Sequence, residues 1–289
     1  MSDYLVKAYG FNNNARIYTA NTTETIKHVQ EIWNMWPTSC AALGRTMTMA
    51  LIMSCTYKND EALNIFVKGD GPIGKIVVET HDGKVRGYCE NPGVYLSHNN
   101  GHLNVSMGVG NGEIEVVKDL HMREPFSSSS PIVSGEIAED FAYYFASSEQ
   151  IPSAVGLGVQ FDKESKVISA GGFLIQLLPG YTDETIDTIE KSIKALRPCS
   201  DMIKDGLSCE DMLNEITKGD YKILEKRDLS FECPCSKERF EKGFVTLGKD
   251  ELKDIISKDH SSTVTCNFCN KKYVYSEDDL NKILEKMEK

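Results

Sequence analysis

Residues 233–269 read CPCSKERFEKGFVTLGKDELKDIISKDHSSTVTCNFC, a stretch with a closely spaced pair of cysteines at each end. One residue separates Cys233 from Cys235, two separate Cys266 from Cys269, and 30 residues lie between the pairs. Structural Zn²⁺ sites are tetrahedral with Zn–S distances of about 2.3 Å, and cysteine pairs on two tight turns commonly bring four sulfurs to that distance. The spacing therefore predicts a zinc site formed by Cys233, Cys235, Cys266 and Cys269.

The segments around these cysteines predict a small domain. Gly248 precedes a predicted helix over 250–257, residues 263–265 form a predicted strand, and Ser276 caps a final helix. A region of about 60 residues has too small an apolar core to fold securely by itself, and a bound metal would supply the missing stability. We expect residues 233–289 to form a zinc-binding domain.

Two interpretations of the cysteine site are open from the residues alone. One is a static zinc ribbon that stabilises an enzyme or a nucleic-acid-binding protein, although ribbons usually carry two Cys-x-x-Cys pairs. The other is a redox switch, because a single residue between Cys233 and Cys235 keeps their sulfurs close enough for an oxidant to join them. The Cys-x-Cys spacing favours the switch.

The composition changes near Gly180. Residues 1–180 contain 18 of the 22 glycines but only 32 of the 75 charged residues, whereas the rest of the chain contains 4 glycines and 43 charged residues. Glycine-rich turns favour sheet structure, and the charged remainder favours helices on a protein surface. We therefore expect an α+β protein whose two parts differ in architecture.

Residues 1–180 are predicted to form a mixed α/β domain with β-hairpins. Asp82–Gly83 and Asn111–Gly112 are dipeptides that favour tight hairpin turns, and residues 154–180 predict a third hairpin. We interpret Ser127–Ser130 as a surface loop. The apolar spacing also predicts three helices, at residues 23–36, 39–56 and 136–145.

Residues 181–232 are predicted to form a helical linker. Thr182 begins one helix, whose apolar residues include Ile186, Ile189 and Ile193, and Ser208 caps a second. Their apolar stripes are thin, so these helices gain most of their stability by docking onto a neighbouring surface. We expect the order of this segment to depend on what it packs against.

Composition also bounds the class of protein. The 289 residues carry a net charge of −11, which repels phosphate backbones and argues against nucleic-acid binding. A secretory leader and an apolar run of about 20 residues are both missing from the sequence, so we expect a cytoplasmic protein that does not bind a membrane. Nine cysteines in that compartment should mostly be thiols, which leaves metal binding or redox chemistry for a cluster.

Two further motifs do not match the catalytic or nucleotide-binding patterns that they partly resemble. Gly69–Gly74 lacks the GK[ST] ending of a phosphate-binding loop and is predicted to be a tight turn between strands. Ser148 is outside any G-x-S-x-G pattern and is predicted to lie where a helix ends. We therefore predict that the protein is not an enzyme.

Several motifs, in order along nearly the whole chain, resemble the redox-regulated thirty-three-kilodalton heat-shock chaperone family. The four cysteines match the family's Cys-x-Cys and Cys-x-x-Cys pairs. The other matches lie in the first 180 residues: Gly44–Thr46 (GRT), Gly69–Gly74 (GDGPIG), Ser148–Ser153 (SEQIPS), Ala170–Gly172 (AGG) and Gln176–Pro179 (QLLP).

The resemblance implies an oxidation-activated holdase that needs no ATP, with a substrate-binding α/β domain, a helical linker and a C-terminal zinc switch. Its partners would be unfolded or aggregation-prone client proteins, and the active, oxidised form would be a homodimer. In that form we expect Cys233 joined to Cys235 and Cys266 joined to Cys269, with zinc released. Such small rings leave the module without a long-range crosslink, so the module and the linker helices should lose order and expose apolar faces to clients.

Overall fold

The computed structural model describes residues 2–56, 61–119 and 124–288. The described residues form two compact units, which meet in the sequence between Glu232 and Cys233. Helices and strands occur in both, which confirms the predicted α+β class. Within the described ranges, no helix is both long enough and apolar enough to span a bilayer.

The first unit contains eleven strands and seven helices in its described part. The strands are β1 (Tyr4–Gly10), β2 (Ala15–Asn21), β3 (Ala62–Gly69), β4 (Ile76–His81), β5 (Lys84–Cys89), β6 (Gly112–Asp119), β7 (Phe126–Pro131), β8 (Ser153–Phe161), β9 (Val167–Leu177), β10 (Tyr221–Asp228) and β11 (Ser230–Phe231). The helices are α1 (Thr23–Trp33), α2 (Pro37–Ser54), α3 (Val105–Val109), α4 (Ala138–Ser147), α5 (Asp183–Ala195), α6 (Cys199–Lys204) and α7 (Cys209–Thr217).

These strands form two sheets. The first sheet is antiparallel with the order β10-β1-β2-β9-β8, and the second has the order β11-β5-β4-β3-β6-β7. In the second sheet only the short pairing of β11 with β5 is parallel. At the β4–β5 turn both Asp82 and Gly83 have positive φ, as a two-residue hairpin of this kind requires, which confirms that predicted hairpin. The predicted β8–β9 hairpin is also confirmed.

Helix α2 lies in the main core and packs against strands of both sheets. Every residue of this helix except Arg45 is buried, including Met47, Met49 and Met53, whose side chains are fully inaccessible. Unbranched methionine side chains adapt to the irregular space between two twisted sheets. The methionine-rich pattern is therefore core packing.

A second core covers the first sheet with helices α5, α6 and α7. Ile189, Met202 and Leu213 of these helices pack with Val6 and Ile175 of the sheet. The predicted helix starts are confirmed: Thr182 and Ser208 each accept a hydrogen bond from a backbone N–H three residues further on, as capping residues do. Residues 183–217 are therefore held by apolar packing against strands β1, β2 and β9.

The second unit contains helices α8 (Lys237–Leu247), α9 (Lys249–Asp259) and α10 (Glu277–Glu288) and strands β12 (Ser261–Thr265) and β13 (Lys272–Ser276). The two strands form an antiparallel hairpin. The fully packed core of this unit is small and comprises Phe244, Leu252, Tyr275, Leu280 and Ile283.

Four details differ from the sequence predictions. Asn111–Gly112 does not join two paired strands, because residues 105–109 form helix α3 and β6 pairs with β3 instead. Ser127–Ser130 is not a loop, since these residues form most of edge strand β7. Residues 181–232 contain strands β10 and β11 besides their helices. Helix α8 follows the first cysteine pair, where no helix was predicted.

Candidate metal and redox centre

Two turns position the cysteine pairs. Cys233 and Cys235 lie between β11 and α8, whose first turn is capped by the side chain of Ser236. Cys266 and Cys269 lie in the turn of the β12–β13 hairpin. There the N–H of Cys266 donates to the carbonyl of Lys271 at 2.9 Å, and the N–H of Asn270 donates to the carbonyl of Cys266 at 2.9 Å. These bonds close a tight knuckle around the second pair.

The four sulfurs form one cluster. All four Sγ atoms lie within 4.8 Å of one another. The Sγ–Sγ distances are 3.7 Å between Cys233 and Cys266 and 3.3 Å between Cys235 and Cys269. A tetrahedron with Zn–S distances of about 2.3 Å has edges of about 3.8 Å. The cluster therefore has the size and the soft donor set that suit zinc, and the structure brings together the four residues singled out from the sequence.

The cluster is only partly shielded from solvent. Cys266 is buried, whereas Cys233, Cys235 and Cys269 are half-buried. Three of the four cysteines are therefore partly accessible to solvent.

Tyr273 on β13 adds a polar group to the cluster. Its hydroxyl donates to the carbonyl of Cys235 at 2.9 Å and lies 3.2 Å from the Sγ of the same residue. Partial burial disfavours the thiolate, but hydrogen bonds from Tyr273 and the neighbouring thiols outweigh it and lower the pKa of Cys235 to about 7. Burial and the hydrogen bonds with the other cysteines raise the pKa of Cys269. The thiolate of Cys235 is therefore favoured over that of Cys269.

A bracing network joins the two turns of the site. The hydroxyl of Tyr275 donates to the carbonyl of Lys237 at 2.6 Å, and Lys237 pairs with Asp279 at 2.9 Å. That ion pair and hydrogen bonds from Ser276 lower the pKa of Asp279 to about 2. The network links α8, β13 and α10, so it fixes the backbone on either side of the cysteines.

The residues that support the cluster, Tyr273, Tyr275, Lys237 and Asp279, were not predicted from the sequence. Tyr273 and Tyr275 alternate with Lys272, Val274 and Ser276 in KYVYS, a run of aromatic and β-branched residues that is typical of a strand, where side chains two residues apart share a face. That alternation could have identified β13 and placed both tyrosines on one side of it.

The other five cysteines lie away from the cluster and are buried. Burial raises the pKa of every one of these thiols, to about 12 for Cys89, about 11 for Cys199 and about 12 for Cys209. A buried thiol with a raised pKa has little thiolate at neutral pH and reacts slowly. In this conformation these five thiols are therefore poor nucleophiles at neutral pH.

The two other motifs are structural. Gly69 ends β3 and Gly71 lies in the turn that follows; a Cβ on Gly69 would stand 1.9 Å from the carbonyl oxygen of Val109. Glycine is needed there for close backbone approach. The hydroxyl of Ser148 donates to the carbonyl of Ser129 at 2.9 Å, just after α4 ends. Both predictions, a turn and a helix end, are confirmed.

The fold and the site together define an α+β protein with a separate unit built around four clustered thiols, a class suited to metal binding and redox chemistry. The model of the Hsp33 protein family matches residues 3–276. The chain belongs to the Hsp33 family of heat-shock chaperones, which confirms the resemblance found in the sequence.

Individual relatives agree with this assignment. The chain is 49% identical over 291 aligned residues to the 33 kDa chaperonin of Listeria monocytogenes serotype 4a, with 99% of each chain covered. It is 46% identical over 289 residues to the 33 kDa chaperonin of Staphylococcus aureus strain Newman, again with 99% of each covered. The crystal structure of the 33 kDa chaperonin (heat shock protein 33 homolog) of Thermotoga maritima matches with a TM-score of 0.93 and 32% identity, covering 100% of both chains.

Proposed function

We propose that this protein is a redox-regulated holdase that binds unfolding proteins without ATP. In the reduced state Cys233, Cys235, Cys266 and Cys269 would bind one Zn²⁺, and oxidation to two disulfides would release the metal and activate client binding. The observation that carries the proposal is the cluster of four Sγ atoms within 4.8 Å. It lies in a unit whose packed core is too small to hold it together securely.

The metal would act as a crosslink. When bound, zinc supplies four bonds that tie residues 233–235 to residues 266–269 across the 30-residue segment between them. Apparent binding free energies of structural zinc sites are about 10–16 kcal/mol, and this energy is coupled to folding. Because the thiols must be deprotonated to bind, the hydrogen bonds near Cys235 would favour the first ligand.

Oxidation would remove the ligands in two balanced steps. In each step two zinc-bound thiolates lose two electrons to form one disulfide, and one hydrogen peroxide molecule takes up these electrons and two protons from the solvent to give two water molecules. We propose that the disulfides join Cys233 to Cys235 and Cys266 to Cys269. In the reduced cluster two short Sγ–Sγ distances, 3.7 Å and 3.3 Å, join cysteines of different pairs, so the pairing has to be determined in the active protein.

The pairing decides whether the unit stays folded. A disulfide within either pair closes a ring of three or four residues and leaves the segment between the pairs unconstrained. A disulfide across the pairs would keep the long loop closed and would preserve the crosslink. We propose pairing within each pair, so that the second unit loses its fold on oxidation.

Client binding would use apolar surface of the first unit. Helices α5, α6 and α7 cover Val6, Ile17, Phe173 and Ile175 on one face of the first sheet. If this segment detached, the sheet would expose a contiguous apolar face of the kind that captures unfolded chains. Thin apolar stripes on α5 and α7 are consistent with a segment that can be released.

Other parts of the proposal follow from the family and the composition. We propose that the oxidised form is a homodimer, that the protein has no enzymatic activity, and that it works in the cytoplasm. The net charge of −11 argues against nucleic acid as a partner. The competing function is a static zinc ribbon in a nucleic-acid-binding protein or an unrecognised enzyme, which would keep both its zinc and its activity after mild oxidation.

The test is light scattering from a chemically denatured client that aggregates on dilution. Zinc-loaded reduced protein should leave aggregation unchanged, peroxide-treated protein should suppress it, and a colour-forming chelator should detect one zinc released per chain. Reduction with zinc present should reverse both changes. Equal suppression by the two forms, or suppression with zinc retained, would contradict the proposal and favour a static site.

A further inference from the structure

Strand β10 is attached to the first sheet differently from its neighbour β1. It forms one edge of the first sheet in the described part of the chain and pairs antiparallel with β1, from Tyr4 opposite Asp228 to Gly10 opposite Tyr221. None of its eight residues is buried. Its attachment therefore depends mainly on backbone hydrogen bonds, and Tyr221 at its start packs against the core beneath α5, α6 and α7.

The ladder between β10 and β1 is also irregular. The register shifts between Lys7 and Ala8, which leaves Leu224 as an extra residue on the β10 side. Leu224 is 42% exposed, so the bulge buries little apolar surface. A bulge leaves one residue without a partner and disrupts the ladder locally.

Charged side chains supply further contacts of β10. Glu225 lies 3.8 Å from Lys7, Arg227 lies 3.6 Å from Asp82, and Lys226 pairs with Glu210 on α7. Partly exposed ion pairs of this kind contribute little to stability. A charged edge strand also discourages pairing with other chains, so β10 protects the sheet while it is in place.

Strand β1 is anchored in the opposite way. Leu5 is buried in the core that contains α2, and β1 pairs with β2 along its whole length, from Tyr4 opposite Asn21 to Gly10 opposite Ala15. Between Tyr4 and Gly10 the only charged residue is Lys7. Removal of β10 would therefore leave β1 in place, with an apolar sequence and an open row of backbone donors and acceptors.

We propose that β10 is a removable edge strand, and that its release allows an extended apolar segment of an unfolded client to pair with β1. The inference rests on the proposed function, since it requires that oxidation loosen the chain after residue 232. Few residues separate β10 from the cysteine cluster. Leu229 and Phe231 pack against the main core just after β10, and Cys233 follows Phe231 by two residues. Strand addition binds a client mainly through backbone hydrogen bonds, so it can accept clients of unrelated sequence.

The probe is a fluorescent synthetic peptide that copies residues 220–230, DYKILEKRDLS, which is the segment that occupies the β1 edge. Two further peptides carry N-methyl groups on alternate amides between residues 225 and 228, one on the even positions and one on the odd. A methylated amide cannot donate, so only the peptide methylated on the edge facing β1 should lose its pairing. The other methylated peptide is the matched control.

Oxidised full-length protein should bind the unmethylated peptide about tenfold or more tightly than zinc-loaded reduced protein does, because only oxidation frees the β1 edge. One methylated peptide should lose about tenfold or more in affinity relative to the other, because it loses several backbone hydrogen bonds. Hydrogen exchange over residues 4–10 should rise on oxidation and fall again when a denatured client is added.

An equal effect of the two methylated peptides, or no peptide binding by oxidised protein that suppresses aggregation, would overturn strand pairing and leave the holdase function standing. A failure of oxidation to produce any aggregation suppression would instead overturn the proposed function itself.

Discussion

Replacing Cys266 by serine removes the most buried sulfur of the cluster while keeping its backbone turn intact. Cys266 is 3% exposed, and its Sγ lies 3.7 Å from that of Cys233. Its N–H and carbonyl both form backbone hydrogen bonds within the knuckle, and serine preserves them. The Cys266→Ser variant therefore changes the donor set with little direct effect on packing.

The expected loss is large compared with the stability of the second unit. Closing a loop of about 30 residues corresponds to about 4 kcal/mol by the loop-entropy relation. A folded unit of about 60 residues typically has a free energy of unfolding of about 3–9 kcal/mol. In the described part of this unit the apolar core comprises five buried side chains, so apolar packing contributes little free energy of unfolding beyond this range. Without the zinc crosslink, residues 233–288 should be largely unfolded at 25 °C.

The assay combines metal analysis with hydrogen exchange on the reduced full-length variant. Zinc content should fall well below one per chain, peptides from residues 233–288 should exchange rapidly, and peptides from the two-sheet core should be unchanged. Cys89→Ser is the matched control, because Cys89 is also buried, at 7% exposure, but lies on β5 in the first unit. Full zinc occupancy and unchanged exchange in Cys266→Ser would refute the reasoning.

Two other predictions concern single side chains. Tyr273→Phe removes the hydroxyl that lies 3.2 Å from the Sγ of Cys235, and chelator competition should show about tenfold weaker zinc binding, as for other groups that support a metal ligand. Tyr275→Phe loses a hydroxyl bond that touches no sulfur and is the control; equal weakening in both variants would contradict the role of Tyr273. Because burial raises the pKa of Cys199 to about 11 and of Cys209 to about 12, both should resist alkylation at neutral pH in zinc-loaded reduced protein. Both should be labelled rapidly after oxidation if α6 and α7 detach, and unchanged labelling rates would contradict that release.

The cysteine cluster could be predicted because its signal is local and specific. Two pairs of thiols with one and two intervening residues restrict the geometry strongly, and the structure places their sulfurs within 4.8 Å. The helix starts at Thr182 and Ser208 were equally clear, since a capping side chain acts within its own turn. The Asp82–Gly83 hairpin is another local feature, set by two residues with positive φ.

The missed elements depend on contacts with partners outside their own segments. Strand β7 contains four consecutive serines, which have no strong strand preference, but β6 offers it a ladder. Strand β10 carries five charged residues among eight and is extended because β1, more than two hundred residues earlier, pairs with it. Tyr273 and its contact with Cys235 could not be placed before the β12–β13 hairpin was known. Strand pairing therefore overrides local propensity in β7 and β10.

The most direct measurement is to map the disulfides of the active oxidised protein by peptide mass spectrometry after alkylation of the remaining thiols. The proposed mechanism predicts one disulfide between Cys233 and Cys235 and one between Cys266 and Cys269. These two disulfides leave no crosslink across the 30-residue segment between the pairs. A disulfide that joins Cys233 or Cys235 to Cys266 or Cys269 would keep that loop closed. Its presence in protein that suppresses aggregation would contradict the account.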